Sequence, residues 1–187
     1  MLHSVKSLIQ ETGRAMSDSA ALSETIASTA TIKLAGIPES RFFCTPIEER
    51  FERITRVARR AMQAPVAAIT LISNERQWFK SVSGWQVSEL PIENALCGIT
   101  LTEGAATMIN DTLSDERTAS KPIVAGGPRF RAYAGYPLVD EHNIIIGTLC
   151  IFDTKLRNFS AADKDALFDL ACLAQRELIG EELRSVH

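Results

Sequence analysis

The sequence predicts an α+β domain, in which helices pack on a central antiparallel sheet of five to six strands. Two predicted hairpins support this fold class. In the first, Val66–Ile72 (VAAITLI) and residues 77–82 (QWFKSV) flank a polar turn. In the second, Ala132–Val139 and residues 144–152 have the same β-branched, aliphatic and aromatic composition. Helical periodicity before the first hairpin and after the second supplies the layer that covers the sheet.

Length and composition indicate one domain with its own core. The chain has 187 residues, of which 45% are hydrophobic, and its net charge is −3. A general nucleic-acid binder would carry a basic excess on one face, so nucleic acid is not an expected partner. The N-terminus does not have the order of a signal peptide, and no apolar run approaches the roughly 18 residues of a membrane span. We therefore expect a cytoplasmic protein that does not bind membranes.

The cysteines indicate neither a metal site nor disulfides. Cys44, Cys97, Cys150 and Cys172 form no CxxC pair and have no histidine close in sequence. We interpret them as reduced thiols.

Residues 1–40 are poor in aromatic residues, rich in Ser, Thr and Ala, and show only weak helical spacing. They are interpreted as an N-terminal helical arm that docks on a partner or closes a dimer, or as a frayed extension. The folded domain then comprises residues 41–187.

The first helix of the domain is predicted from an apolar stripe with intervals of three and four residues, and Pro65 ends it. The stripe consists of Ile47, Phe51, Ile54, Ala58, Ala61 and Met62. A basic run on the other side has two interpretations, a docking face or a solvated helix surface. It consists of Arg53, Arg56, Arg59 and Arg60.

The segment between the hairpins predicts less regular structure. Residues 84–94 are rich in turn formers, residues 97–101 form a short helix, and residues 107–110 form a short strand. Residues 113–130 are polar and predict a long loop. Because long loops in compact domains usually have a function, a site is expected beside this loop.

The last strand and the last helix complete the domain. Residues 144–152 are apolar throughout, which predicts a strand in the middle of the sheet, and Gly147 marks a close backbone approach. Ser160 and Asp163 have the spacing of a capping box at the start of the last helix. Its apolar stripe consists of Leu167, Leu170, Ala171, Ala174 and Leu178.

Six sequence blocks in this order resemble a bacterial GAF domain of the kind found with sensor histidine kinases and diguanylate cyclases. The blocks are EERFERITRVA, ITLISNERQWFKSVSG, INDTLSDER, GGPRFRAYAGYPL, IGTLCIFD and FSAADKDALFDLA. The resemblance covers residues 46–178. It implies a pocket between one sheet face and the long loops, which in this family holds cyclic nucleotides, tetrapyrroles or metabolites, and dimerisation through terminal helices.

Two blocks depart from the family pattern. The usual Ser-Phe-Cys is Ala95-Leu96-Cys97, and the usual Asp-Pro-Arg-Phe begins here with Asp115-Glu116-Arg117. The resemblance therefore implies no particular ligand, and the cofactor is unknown. Because no kinase, GGDEF or helix-turn-helix signature occupies the chain, we expect a stand-alone sensory module that acts through a signalling partner and forms a homodimer.

Cys97 and Gly98 are the residues that suggest an enzyme as the alternative function. Free methionine-R-sulfoxide reductases of the GAF family share this Cys-Gly step, but they use a second, resolving cysteine on the adjoining loop, and residues 98–149 contain none. We therefore expect a binding domain and not an enzyme, with the thiol-based reductase as the alternative. No haem ligand is expected, because His3 and His187 are terminal and His142 lies in a predicted turn.

The candidate ligand-binding residues lie on the predicted strands and near the long loop. They are Trp78, Phe79, Cys97, Asp111, Arg117, Arg129, Arg131 and Tyr133. Arginines beside aromatic walls suit a carboxylate or a phosphate, because the guanidinium fork pairs with planar oxyanions. Strand alternation leaves the direction of several of these side chains open. A further alternative is an interaction module that binds no ligand.

Overall fold

The structure, a computed structural model, describes residues 46–73, 75–140 and 142–185, and in the last helix the side chains up to residue 180. The helical arm predicted at residues 1–40 lies outside these residues.

The elements in chain order are α1 Glu49–Ala61, β1 Val66–Ile72, β2 Arg76–Ser83, β3 Glu89–Pro91, the 3-10 turn Ile92–Asn94, α2 Cys97–Glu103, β4 Thr107–Ile109, α3 Pro122–Ala125, β5 Ala132–Val139, β6 Ile145–Asp153 and α4 Ala161–Ser185.

The described strands form one six-stranded sheet in the order β3-β2-β1-β6-β5-β4. Every neighbouring pair is antiparallel, which confirms the α+β fold class. β6 lies between β1 and β5, and its residues after Ile145 are all buried, as the apolar run predicted. A Cβ atom on Gly147 would stand 1.9 Å from the carbonyl oxygen of Thr70, so the predicted close approach is between two strand backbones.

The sheet separates two hydrophobic cores. On the helical face, α1 and α4 cover the sheet with side chains such as Phe51 and Leu167, which are fully buried. On the opposite face, which we call the loop face, the segment between β2 and β5 covers side chains such as Leu96 and Phe130. Side chains that alternate along each strand therefore enter different cores.

Three details of the prediction were wrong. Ala61, which was assigned to the apolar stripe of the first helix, is exposed at the last position of α1. Ile47 is 84% exposed, because α1 begins only at Glu49 and the residue lies before the helix. The strand β3 was not predicted, because turn formers and Pro91 dominate its surroundings. β3 pairs only with β2, and at the edge of a sheet a proline removes no required hydrogen bond.

Side chains hold the ends of both long helices. At the start of α4, the Ser160 amide donates to Asp163 Oδ2 at 2.8 Å and the Asp163 amide donates to Ser160 Oγ at 3.2 Å, which confirms the capping box. At the end of α1, Arg157 Nη2 donates to the carbonyl oxygens of Met62 at 2.9 Å and Gln63 at 2.7 Å. Arg157 thereby ties the turn that follows α1 to the segment after β6.

Replacing Gly147 by alanine tests the central strand pairing. Because the added methyl would overlap the Thr70 backbone, we expect Gly147→Ala to lower the free energy of unfolding by about 3 kcal/mol or more. Urea denaturation followed by circular dichroism measures the loss. Gly98→Ala is the control, since the nearest atom to its new Cβ is 4.0 Å away and alanine favours the helix. Equal stability of the two variants would contradict the close approach.

Candidate functional site

Five aromatic rings on the loop face occupy the space beneath the long loop. We call them the ring cluster: Phe79, Trp85, Phe130, Tyr133 and Phe152. Their centroids lie 5.7 Å apart for Phe79 and Trp85, 5.1 Å for Trp85 and Phe130, and 5.0 Å for Phe130 and Phe152. The two contacts of Trp85 are edge-to-face, an arrangement that is favourable beyond the area it buries. The chamber that the family resemblance implies is therefore filled by the protein's own side chains.

Trp85 is the partly exposed member of the ring cluster, since the other four are buried. It follows Gly84, whose φ of 96° requires a residue without a side chain. The Trp85 ring meets both Phe79 and Phe130 edge-on. Because it stands in the segment between β2 and β3 and not in a strand, Trp85 closes the chamber from the solvent side.

A buried polar group lies beneath the rings. Thr100 Oγ1 and the Tyr133 hydroxyl share a hydrogen bond of 2.8 Å, and so do the hydroxyls of Thr70 and Thr148. Burial raises the pKa of the Tyr133 hydroxyl well above its ordinary value. Hydroxyls of this kind offer donors and acceptors inside an otherwise apolar layer.

Cys97 and Cys150 lie side by side in the same layer, with their sulfur atoms 3.5 Å apart and both side chains fully buried. Burial raises the pKa of Cys150 well above its ordinary value. Burial also acts to raise the pKa of Cys97, but hydrogen bonds from Cys150 and from nearby hydroxyls outweigh it and lower that pKa. The thiols therefore differ in acidity, with Cys97 the more acidic.

Gln77 carries a buried acceptor without a partner. Its side chain is on the loop face, as that of Phe79 two residues later is, and only 1% of the residue is exposed. In the described part of the chain, Gln77 Oε1 accepts no hydrogen bond. Leaving such an atom unsatisfied costs about 1–3 kcal/mol. A ligand with an N–H or O–H group beside the ring cluster would remove this cost.

A second, more open site lies at the surface beside β4, and we call it the ledge. It has a volume of about 580 Å³, and its wall includes Asp111, Asp115 and Arg117. Arg131 Nη2 donates to Asp111 Oδ1 at 2.9 Å, which holds the pKa of Asp111 below its ordinary value. Arg117 pairs with Asp115 and Glu103, and the pKa of Asp115 is lowered for the same reason. The arginines of the ledge thus already hold carboxylates.

The structure divides the sequence-predicted candidates among several places. Phe79, Cys97 and Tyr133 lie together in the loop-face core. Asp111, Arg117 and Arg131 lie at the ledge. Trp78 packs on the helical face, and Arg129 is exposed with a φ of 62°.

Sequence reasoning missed four residues of the loop-face site. Trp85 and Phe130 lie in segments interpreted as turn and loop, where no periodicity marks an inward side chain. Gln77 begins a predicted strand, and alternation with Phe79 was the signal that could have found it. Cys150 lies one residue beyond the segment 98–149, which contains no cysteine. Its position on the apolar, buried strand β6 was the sequence signal that could have found it.

The profile of the GAF domain family matches residues 46–178. The chain belongs to the GAF family. Its fold resembles that of free methionine-R-sulfoxide reductase from Neisseria meningitidis, with 15% identity and a TM-score of 0.60 over 89% of this chain and 93% of that one. It also resembles the GAF domain of an Acinetobacter phosphoenolpyruvate-protein phosphotransferase, with 18% identity and a TM-score of 0.59 over 73% of this chain and 84% of that one. At these identities the likeness shows the fold alone.

A curated relative of this GAF domain is a cyclic di-GMP phosphodiesterase of Pseudomonas aeruginosa, which is 32% identical over 110 residues. The matched segment is 59% of this chain and 19% of that protein. Within the described residues, no helix has the length and apolar character needed to cross a membrane. The same residues contain no group of three or more His, Cys, Asp or Glu side chains arranged for a metal ion.

The Asp111–Arg131 pair predicts a pH-dependent contribution to stability. Because the folded-state pKa of Asp111 lies below its ordinary value of 3.8, the ion pair stabilises the fold fully above that pH and is lost as the pH falls further. We expect Arg131→Gln to lower the melting temperature at pH 7 by a few degrees at most, and the difference from wild type to vanish below about pH 3.

Melting curves at stepwise pH values, recorded by circular dichroism, measure this difference. Arg129→Gln is the matched control, since Arg129 is exposed and two residues away. A difference for Arg131→Gln that stays constant down to pH 2.5, on the order of a pH unit below the ordinary pKa, would contradict the assignment.

Proposed function

We propose that this GAF domain is a cytoplasmic sensory or regulatory module, which binds a small molecule at the loop face and signals through protein contacts. The observation that supports it most directly is the unsatisfied Gln77 Oε1, which lies on the loop face two residues along β2 from Phe79 of the ring cluster. Natural proteins contain few buried polar atoms without a hydrogen-bond partner, and a role in a functional site is one of the usual reasons why such an atom is kept. The similarity to a segment of a cyclic di-GMP phosphodiesterase supports a place in signalling.

In this proposal the ligand enters by displacing the Trp85 ring. Trp85 is partly exposed and is held by ring contacts, so its outward movement opens a space of the size of an indole between Phe79 and Phe130. A planar ring in that space would restore the edge-to-face contacts. The ligand is therefore a planar ring compound, and to reach Gln77 its hydrogen-bond donor has to extend past Phe79 along β2.

The proposed site combines predicted and newly found residues. Phe79, Cys97 and Tyr133 come from the predicted set, and Gln77 and Trp85 are added from their positions on the loop face. The remaining predicted residues at the ledge, Asp111, Arg117 and Arg131, form a polar rim for the exposed end of a ligand. Trp78 and Arg129 have no part in this proposal.

The signal would pass through the sheet to α1 and α4. The strands contact the ring cluster on one face of the sheet, and α1 and α4 pack on the other face of the same strands. Both helices expose an apolar side chain, with Val57 46% and Leu173 51% accessible. This surface is the proposed contact with a signalling partner or a second copy. A coupling of about 1–3 kcal/mol between the two faces is sufficient for regulation.

Tryptophan fluorescence tests the ligand site. The chain has two tryptophans, so the Trp78→Phe variant reports on Trp85 alone. We expect a planar ring metabolite or a cyclic nucleotide to raise the melting temperature and to shift the Trp85 emission to longer wavelength, because the indole moves into water. A library that produces neither effect would contradict the proposal.

The Gln77→Leu variant separates ligand recognition from folding. Without ligand, we expect this variant to be more stable than wild type by about 1 kcal/mol, because the orphaned acceptor is removed. Its affinity for the ligand should fall by about tenfold. Gln86→Leu is the control, since Gln86 is exposed in the segment that carries Trp85. Unchanged affinity in Gln77→Leu would remove Gln77 from the site.

A second candidate function is a thiol-based reductase, and the Cys97–Cys150 pair is the observation that favours it. In such a reaction the sulfoxide oxygen leaves as water, the sulfur is reduced to a sulfide, and the two thiols form a disulfide. This candidate ranks second because both thiols are fully buried and a substrate has no direct access.

Turnover assays decide between the two candidates. If the protein is a reductase, NADPH consumption coupled through thioredoxin should depend on methionine sulfoxide, and Cys97→Ser should abolish it. Cys172→Ser, which changes an exposed thiol, should have no effect. Absence of turnover in the wild type, or turnover that survives in Cys97→Ser, would exclude the reductase.

A further inference from the structure

A basic groove runs beside the C-terminal half of α1, away from the ring cluster. It has a volume of about 450 Å³ and is lined by Arg56, Arg59, Arg60, Gln63, Ala64 and Ser83. The helix supplies the arginines, the turn after it supplies Gln63, and the end of β2 supplies Ser83. We propose that this groove binds the phosphate group of a phosphorylated small molecule.

Two of the guanidinium groups in the groove have no acidic partner among the described residues. Arg59 and Arg60 are exposed, and their side chains form no ion pair with the described residues. Arg56 lies at the edge of the groove and donates to Glu49 at 2.5 and 3.2 Å. In a chain whose net charge is −3, two adjacent arginines without a carboxylate concentrate positive charge at one place.

The helix dipole does not account for this concentration of charge. Cations favour the last turn of a helix because its carbonyl oxygens are left without donors. Here Arg157 already donates to the carbonyl oxygens of Met62 and Gln63, at 2.9 and 2.7 Å. Within the last turn, the carbonyl oxygens of Ala58, Arg59 and Arg60 already accept from backbone amides of the following residues. The charges of Arg59 and Arg60 therefore remain available for another anion.

The backbone at Gly84 shapes the groove. A Cβ atom at this position would stand 1.9 Å from the Pro65 carbonyl oxygen and 3.2 Å from Arg59 Nε. Glycine thus lets the strand end pass close to the turn and gives Arg59 a backbone surface to lie against. The Arg59 guanidinium is thereby partly fixed in position before binding, which reduces the side-chain conformational entropy that is lost when the phosphate binds.

The remaining groups of the groove match a phosphate. Guanidinium forks donate in pairs to phosphate oxygens, and the Gln63 amide and the Ser83 hydroxyl add neutral donors from two other sides. A tetrahedral anion with several acceptor oxygens uses donors from several directions better than a planar carboxylate does. The volume lies in the range of small-molecule sites, about 300–1,000 Å³.

Titration calorimetry of the full chain with inorganic pyrophosphate tests the site. At fixed ionic strength, we expect saturable binding by the wild type and an affinity about tenfold lower for Arg59→Gln/Arg60→Gln. Arg53→Gln is the matched control, because Arg53 is exposed on the same helix and does not line the groove. It should change the affinity by less than about twofold. No binding by the wild type, or an equal loss in Arg53→Gln, would overturn the proposal.

A pair of uncharged substitutions distinguishes a built site from diffuse attraction. Gln63→Asn/Ser83→Ala keeps every charge and removes or withdraws the two neutral donors, and asparagine tolerates the φ of 47° at position 63. We expect about threefold weaker pyrophosphate binding, since each neutral hydrogen bond contributes modestly. An unchanged affinity would show that charge alone attracts the anion and would overturn the assignment of a site.

Discussion

The pairing of β6 with β1 and β5 at the centre of the sheet is the constraint on which the other features depend. β6 pairs with β1 from Phe152 to Gly147 and continues with β5 on its other side. The absence of a side chain at Gly147 allows the Thr70 backbone to approach. Because this register fixes which side chains point to each face, it brings Thr70 against Thr148 and directs Cys150 to the loop face, where α2 supplies Cys97.

The two faces of the sheet are covered by different kinds of structure. The helical face is covered by two long helices, whose outer surfaces are available for protein contacts. The loop face holds the ring cluster, the buried hydroxyls and Gln77. A change in the position of Trp85 would therefore alter the packing of strands on which α1 and α4 also pack. In the proposed function, ligand binding and protein contact therefore lie on opposite sides of one closely packed layer.

Much of the fold could be predicted from the sequence, because strong local patterns specify it. β1 and β5 begin and end where composition placed them, and the capping box at Ser160 marks the start of α4. The candidate site was harder to predict, since it depends on which way neighbouring residues point. Trp78 and Phe79 are adjacent in sequence and enter opposite cores. Trp85 and Phe130 reach the site only through tertiary contacts, which no local pattern records.

The short outer strands of the sheet have a consequence for how copies of this molecule meet. Among the described strands, β3 and β4 are the two edges, each three residues long, and β3 ends at Pro91, which has no amide hydrogen to donate. Long, regular edges are templates on which further chains add strand by strand. Here neither border offers more than a brief row of backbone groups, so growth into fibrils by edge pairing is disfavoured even at high local concentration.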